Sequence, residues 1–194
     1  MALTRQDIAR AGLKLLNDVG LNGLTLRLIA ADLGVKAPAL YWHVKNKQEL
    51  LDEMATQMYV DASADRKPPE PLEEWDLVAY RARALRRMML AYRDGAKVFS
   101  GTYLGEVDPD EEQPLRRSIE SGLDERRAAM ALFTVYSFVI GFTIEEQAVY
   151  PVPGKLDERY AGASGEAVFA NVGGRFDEGL SMVLDGARRW LGAE

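Results

Sequence analysis

The 194-residue sequence has no cysteine and a single histidine, His43. The first absence excludes a disulfide, a thiolate zinc site and a cysteine nucleophile, and it fits a reducing cytoplasm. The second excludes a multi-histidine metal site. No P-loop, GxGxxG or GxSxG pattern is present. Acids do cluster, at Glu145-Glu146 and Asp110-Glu111-Glu112. Adjacent residues on a helix point about 100° apart, so such pairs do not converge on one substrate atom. No enzymatic activity and no cofactor or metal are therefore expected. A long apolar run is also missing. The longest uncharged stretch, "AAMALFTVYSFVIGFTI", covers only residues 128 to 144. A membrane-spanning helix needs about 20 mostly apolar residues, so this one reads as a soluble helix buried nearly all round. The opening "MALTRQDIARAG" is charged, so no signal peptide is expected and the expected location is the cytoplasm. Strand-like alternation and internal repeats are absent, which leaves an all-α class.

What is present is unevenly distributed. The chain carries a net charge of −6, yet residues 1 to 50 hold seven Lys or Arg against four acids. A small basic head on an acidic body points to a polyanion as the partner of the head alone.

Helix signals follow one another along the chain. Thr4 with Asp7 forms a capping signal before "TRQDIARAGLKLLNDVG", with Ile8, Ala11, Leu15 and Val19 on one face and Gly20 as the stop. Thr25 caps a short helix, "LRLIAADL", which Gly34 ends. "APALYWHV" follows, with Pro38 in its first turn, where a missing N–H costs nothing. Asn46 and Glu49 open a longer helix over roughly 47 to 63. "DRKPPEPLEE", residues 65 to 74, is rich in proline and charge. It divides the chain into a DNA-binding head over 1–46, a connecting helix over 47–64 and a helical body over 65–194. In the body, a helix of about five turns presents Leu77, Ala84, Leu85, Met88 and Met89 on one side and breaks at Asp94-Gly95. Residues 98 to 109 read as irregular. Helices are expected near 110–121 and 124–149, then, after "YPVPGKL", a last helix or pair near 165–191.

A short helix, a glycine turn and a second short helix make a helix-turn-helix, whose second helix enters the DNA major groove. That accounts for "LGVKAPALYWHVKNKQELL", residues 33 to 51, where bulky aromatics stand side by side amid lysines. Ala37, Pro38 and Ala39 keep the first turn small, so the backbone can approach the groove closely. Tyr41 can lay its ring on a sugar or a thymine methyl. His43 can donate to a phosphate or a base. Lys36, Lys45 and Lys47 supply charge for phosphates, and Arg27 can grip guanine bidentately. Leu40 and Val44 are core. Trp42 fits either packing against the first helix or the DNA face. A merely solvated lysine face and a surface or capping histidine are the plainer alternatives.

The stretch "LTLRLIAADLGVKAPALYWHVKNKQELLD" resembles the DNA-binding region of TetR-family transcriptional repressors, in particular the tetracycline-repressor subclass. "YRDGAKVFSGT", residues 92 to 102, is similar to a second segment of that subclass. The resemblance implies that Arg27, Pro38, Tyr41, His43 and Lys47 fall on DNA-contacting positions, with Thr25 near a phosphate. Ala37 and Ala39 stand where the subclass has a glutamine and a threonine. A different operator, read with fewer hydrogen bonds, is expected. The same pattern fits a ligand-released repressor, an activator, or a ligand-independent DNA-binding protein of the same fold.

One head buries too little surface to select a site in a genome, and such heads work as symmetric pairs on palindromic duplex operators. The apolar helix near 124–149 and the last helix near 175–191, with Phe176, Leu180, Val183, Leu184 and Leu191, are the expected homodimer surface. The resemblance implies a four-helix bundle across the dimer; a monomer wrapped by its own helices is the alternative. The resemblance also implies a small-molecule pocket in the body whose occupancy changes the spacing of the heads. The candidate lining is Arg81, Leu85, Met88, Met89, Phe99, Thr102, Leu115, Phe133, Tyr136 and Ile140, with Ser63 and Glu145. Ordinary core packing is the plainer reading for each apolar member. Phe99 stands where the subclass has a magnesium-binding histidine, and Ser63, Arg81 and Leu85 replace drug contacts, whereas Thr102 and Glu145 match. The expected effector is thus an apolar or aromatic molecule with one or two polar handles, not Mg-tetracycline.

Overall fold

A computed structural model describes residues 3–105, 114–151, 155–162 and 171–192. Its described residues form helices and no β-strand. In order these are α1 (Arg5–Gly23), α2 (Leu26–Asp32), α3 (Ala37–Tyr41), α4 (Lys47–Asp61), α5 (Ser63–Arg66), α6 (Glu74–Leu90), α7 (Gly95–Phe99), α8 (Arg116–Glu120), α9 (Glu125–Val149), a 3₁₀ turn (Glu158–Tyr160) and α10 (Val172–Leu191). The helix expected near 110–121 and the start of the one expected near 165–191 lie partly outside the described residues.

The chain divides into two compact units, Met1–Ala64 with Met88–Asp108, and Asp65–Arg87 with Pro109–Glu194. The sequence division at 65 assigned residues 88–108 to the body. They pack instead with the first unit, because α7 lies against α4.

In the first unit, α1 packs on α4 and α2, and α2 on α3. Local chemistry sets the helix starts. Thr4 and Asp7 exchange the two hydrogen bonds of a capping box, and Thr25 and Asn46 accept the amides of Leu28 and Glu49. Ile8, Leu16, Leu24, Ile29, Leu40, Val44, Leu50, Met54 and Met58 close the core. Of the face expected of α1, Ile8 and Ala11 are buried and Leu15 is half-buried, but Val19 is not. Val19 is exposed, and the buried set runs Ile8, Ala9, Ala11, Gly12, Leu13, Leu16 and Gly20. Gly12 is the closest approach of α1 to α4, where a Cβ would come within 2.9 Å of Met54 Sδ. Gly20 does interrupt the helix: it takes φ 68 and ψ 172, and one further turn follows it to Gly23.

In the second unit, α9 packs along α10. Phe138 and Phe142 enclose Phe176, with ring centroids 5.6 and 5.3 Å away. Gly179 makes room for this cluster, since a Cβ there would lie 2.7 Å from Phe138. Arg86 binds Glu146 through two hydrogen bonds of 2.8 and 2.6 Å and covers the Phe176 ring at 4.7 Å. Both charges are largely buried and mutually satisfied, the condition for tolerating ions in a core. At one end of the unit, Arg127 donates to the Trp190 carbonyl and lies over its ring. By length and composition α9 would be able to cross a membrane. Its inner face, however, carries buried Thr143, Glu146 and Gln147, the pattern of a core helix in a folded unit. Nor is it buried all round, as the sequence suggested: Met130, Phe133, Thr134, Ser137, Gly141 and Glu145 lie on an exposed stripe.

Candidate nucleic-acid interface

Helix α3 is one and a half turns long, and its placement depends on Leu40, which is fully buried and accepts the amides of His43 and Val44. With Leu40 turned inward, Pro38, Tyr41 and Trp42 lie together on the outer face at positions i, i+3 and i+4. Tyr41 is 52% and Trp42 89% exposed, which settles Trp42 on the open surface and not against α1. Ala37, Ala39 and His43 are half-buried, and Lys36 caps the helix as an exposed residue without a side-chain capping bond.

A cleft of about 560 Å³ beside α3 brings together Thr25, Arg27, Tyr41 and Lys47. Its remaining walls include Asn22, Lys45 and Asn46, of which Asn22 carried no sequence signal. Arg27 is exposed in the first turn of α2. Lys47 is exposed, but its Nζ donates to the Leu21 carbonyl at 3.0 Å, tying the start of α4 to the end of α1.

The end of α1 is held from a distant part of the chain. The Leu21 amide donates to Asp94 Oδ2 at 3.0 Å, the Arg93 amide to Asn17 Oδ1 at 2.9 Å, and the Arg93 guanidinium to the Asp18 carbonyl at 3.1 Å. Asp94 adopts φ 55 and also pairs with Lys97 at 3.0 Å. Burial pushes its carboxyl up, but the Leu21 hydrogen bond, the Lys97 partner and the Arg93 charge outweigh this and hold it below the ordinary carboxylate value. Gly95 follows because a Cβ there would lie 2.2 Å from the Met89 carbonyl. The short helix α7 therefore grips α1 just ahead of Thr25 and Arg27. A further strap comes from the amides of Tyr103 and Gly105, which donate to Asp52 and Thr56 of α4 at 3.1 and 2.9 Å.

The expected pocket residues divide between the units. In the first, Met88, Met89 and Phe99 are buried, Phe99 stacks on Tyr59 at 6.5 Å, Thr102 donates to the Phe99 carbonyl at 2.7 Å, and Ser63 is exposed. In the second, Leu115 and Ile140 are buried, Arg81, Leu85 and Tyr136 are half-buried, and Glu145 is exposed. Burial pushes the Tyr136 phenol up. Phe133, expected inside, is 62% exposed on the outer stripe of α9, although it stacks on Tyr136 at 6.3 Å.

Residues 8–54 match the family model for bacterial regulatory proteins of the tetR family, and residues 68–164 the tetracyclin repressor-like C-terminal domain. The tetracycline repressor protein class A from transposon 1721 of Escherichia coli is 35% identical, over 97% of this chain and 93% of its own length. The chain belongs to the TetR family. Among solved structures, TetR(class A) in complex with 5a,6-anhydrotetracycline and magnesium superposes with a TM-score of 0.72 at 35% identity, covering 96% of this chain and 99% of that one. BioQ with its double-stranded DNA operator superposes with a TM-score of 0.68 at 28% identity, covering 95% and 98%. As a TetR-family member, the chain is a DNA-binding transcriptional repressor that responds to a ligand and works as a dimer. The match over residues 8–54 takes in α2 and α3, and the match over residues 68–164 takes in α9.

Proposed function

We propose that two copies of this chain occupy a palindromic operator through the outer faces of their α3 helices, repress transcription there, and are released by a small molecule bound in the body. Arg27 reads a base in this scheme, Thr25, Lys36, Lys45 and Lys47 hold phosphates, and Tyr41, Trp42 and His43 line the groove. The observation that carries it is the exposed pair Tyr41 and Trp42 amid Lys36, Lys45, Lys47 and Arg27, on a chain whose net charge is −6. An aromatic surface ringed by cations matches the phosphate-edged groove of duplex DNA. The cytoplasm is the matching location, and the chain has no catalytic task in this reading.

The effector we propose is an apolar or aromatic molecule with a few polar groups. Metal-linked drug binding does not fit this chain. Phe99 is buried, stacked on Tyr59, and offers no lone pair. Selection of bound duplexes from a random pool tests the first half of the proposal, and release of the selected duplex by members of a small-molecule panel tests the second. Enrichment of no duplex contradicts operator binding. Release by Mg-tetracycline but by no metal-free compound contradicts the effector class.

A further inference from the structure

The first turn of α3 carries no side chain able to read a base by hydrogen bonding. Between Lys36 and Tyr41 stand Ala37, Pro38, Ala39 and Leu40, and Leu40 is fully buried. Pro38 has no N–H, and the Ala39 amide is already spent on the Lys36 carbonyl at 2.8 Å. The surface this turn offers is thus methyl and methylene, narrow enough for close approach. The major groove presents one apolar feature at base edges, the C5 methyl of thymine.

We infer that the first turn of α3 discriminates bases by the pyrimidine C5 methyl, contacted by Ala37 and Ala39. The inference rests on the docking proposed above and adds what is read there. Hydrogen-bonded readout falls to Arg27, next door in the cleft. Operator positions facing α3 carry thymine. Uracil, which lacks only the methyl, is rejected there, and 5-methylcytosine, which presents a methyl at the same place, is preferred to cytosine.

The test uses the full-length chain and the duplex it selects from a random pool. Each thymine is replaced singly by uracil in both half-sites. One or two positions per half-site should lose affinity by about fourfold per methyl, the worth of one buried methylene, with little change elsewhere. At those positions 5-methylcytosine should bind more tightly than cytosine. Ala37→Gly and Ala39→Gly remove the partner methyl, so the thymine-to-uracil ratio should fall toward one. Because that ratio is taken within each variant, any general loss of helix stability cancels. A wild-type chain that binds its duplex but tolerates uracil at every position overturns the inference and leaves the docking intact. A uracil penalty that persists unchanged in both glycine variants assigns the methyl contact elsewhere and also overturns it. Failure to enrich any duplex overturns the docking and this inference together.

Discussion

The exposed large apolar side chains of α3 and those of α9 and α10 differ in what surrounds them. On α3, Tyr41 and Trp42 stand among Lys36, Lys45, Lys47 and Arg27. On α9 and α10, Met130, Phe133, Met182 and Trp190 are 54, 62, 75 and 50% exposed, and the α9 stripe runs through Thr134, Ser137 and Gly141 with a single charge, Glu145, at its end. Exposed apolar area marks a partner in both places. The charge around it separates a polyanion from a second copy of an apolar helix face.

The largest effect is expected at the dimer face. Phe133→Glu places a carboxylate where two copies meet, and burying it unpaired costs several kcal/mol. Sedimentation should show a monomer with unchanged helix content, and operator affinity should fall by more than about a hundredfold. An intact dimer would mean that another surface pairs the chains. Next in size is Arg27→Ala, which should lose about 1–3 kcal/mol of operator discrimination. The thermal midpoint should stay the same, since Arg27 is exposed. Binding curves that overlay the wild type would remove Arg27 from the interface.

Asp94→Asn sharpens the contrast from inside the head. Loss of the carboxylate that holds the Leu21 amide and Lys97 should cost about 1–2 kcal/mol of stability at neutral pH. Because the folded carboxyl is held below its unfolded value, that contribution is fully present above the ordinary aspartate range near 4 and is lost as pH falls through the lower folded value. Urea titrations of the two proteins should therefore converge in acid. A constant gap from neutral pH into acid would show that Asp94 acts by some other route. Trp42→Ala should have the smallest effect, about 1 kcal/mol of DNA affinity, with stability untouched because the ring is almost wholly exposed. Calorimetric unfolding together with a gel shift separates these two quantities.

Sequence showed the parts that neighbours decide and hid those that distant residues decide. The caps at Thr4, Thr25 and Asn46 were legible because each uses an amide three residues away. The inward turn of Leu40 and Val44 followed from helical spacing. The break at Gly20 was legible from the glycine itself, but what holds the turn beyond it was not, since Leu21 is bound by Asp94, 73 residues on. Helix α7 escaped notice because five residues are too few for a periodic pattern and it starts from a left-handed Asp94. Val19 was misplaced: it is exposed beside Gly20, where the helical geometry is interrupted. At the site, residue types alone gathered the cations and aromatics of α3. The exposure of Trp42 depended on where α3 ends, and the tie of Lys47 to the Leu21 carbonyl on the kink.

The central claim is that the cationic aromatic face of the head meets the phosphate-edged groove of duplex DNA. Its most direct test is the salt dependence of affinity for a selected duplex. Two heads, each offering Arg27, Lys36, Lys45 and Lys47, displace counterions from on the order of six to ten phosphates, so affinity should fall about a thousandfold or more between about 50 and 200 mM salt. Affinity that stays level across that range would contradict the claim.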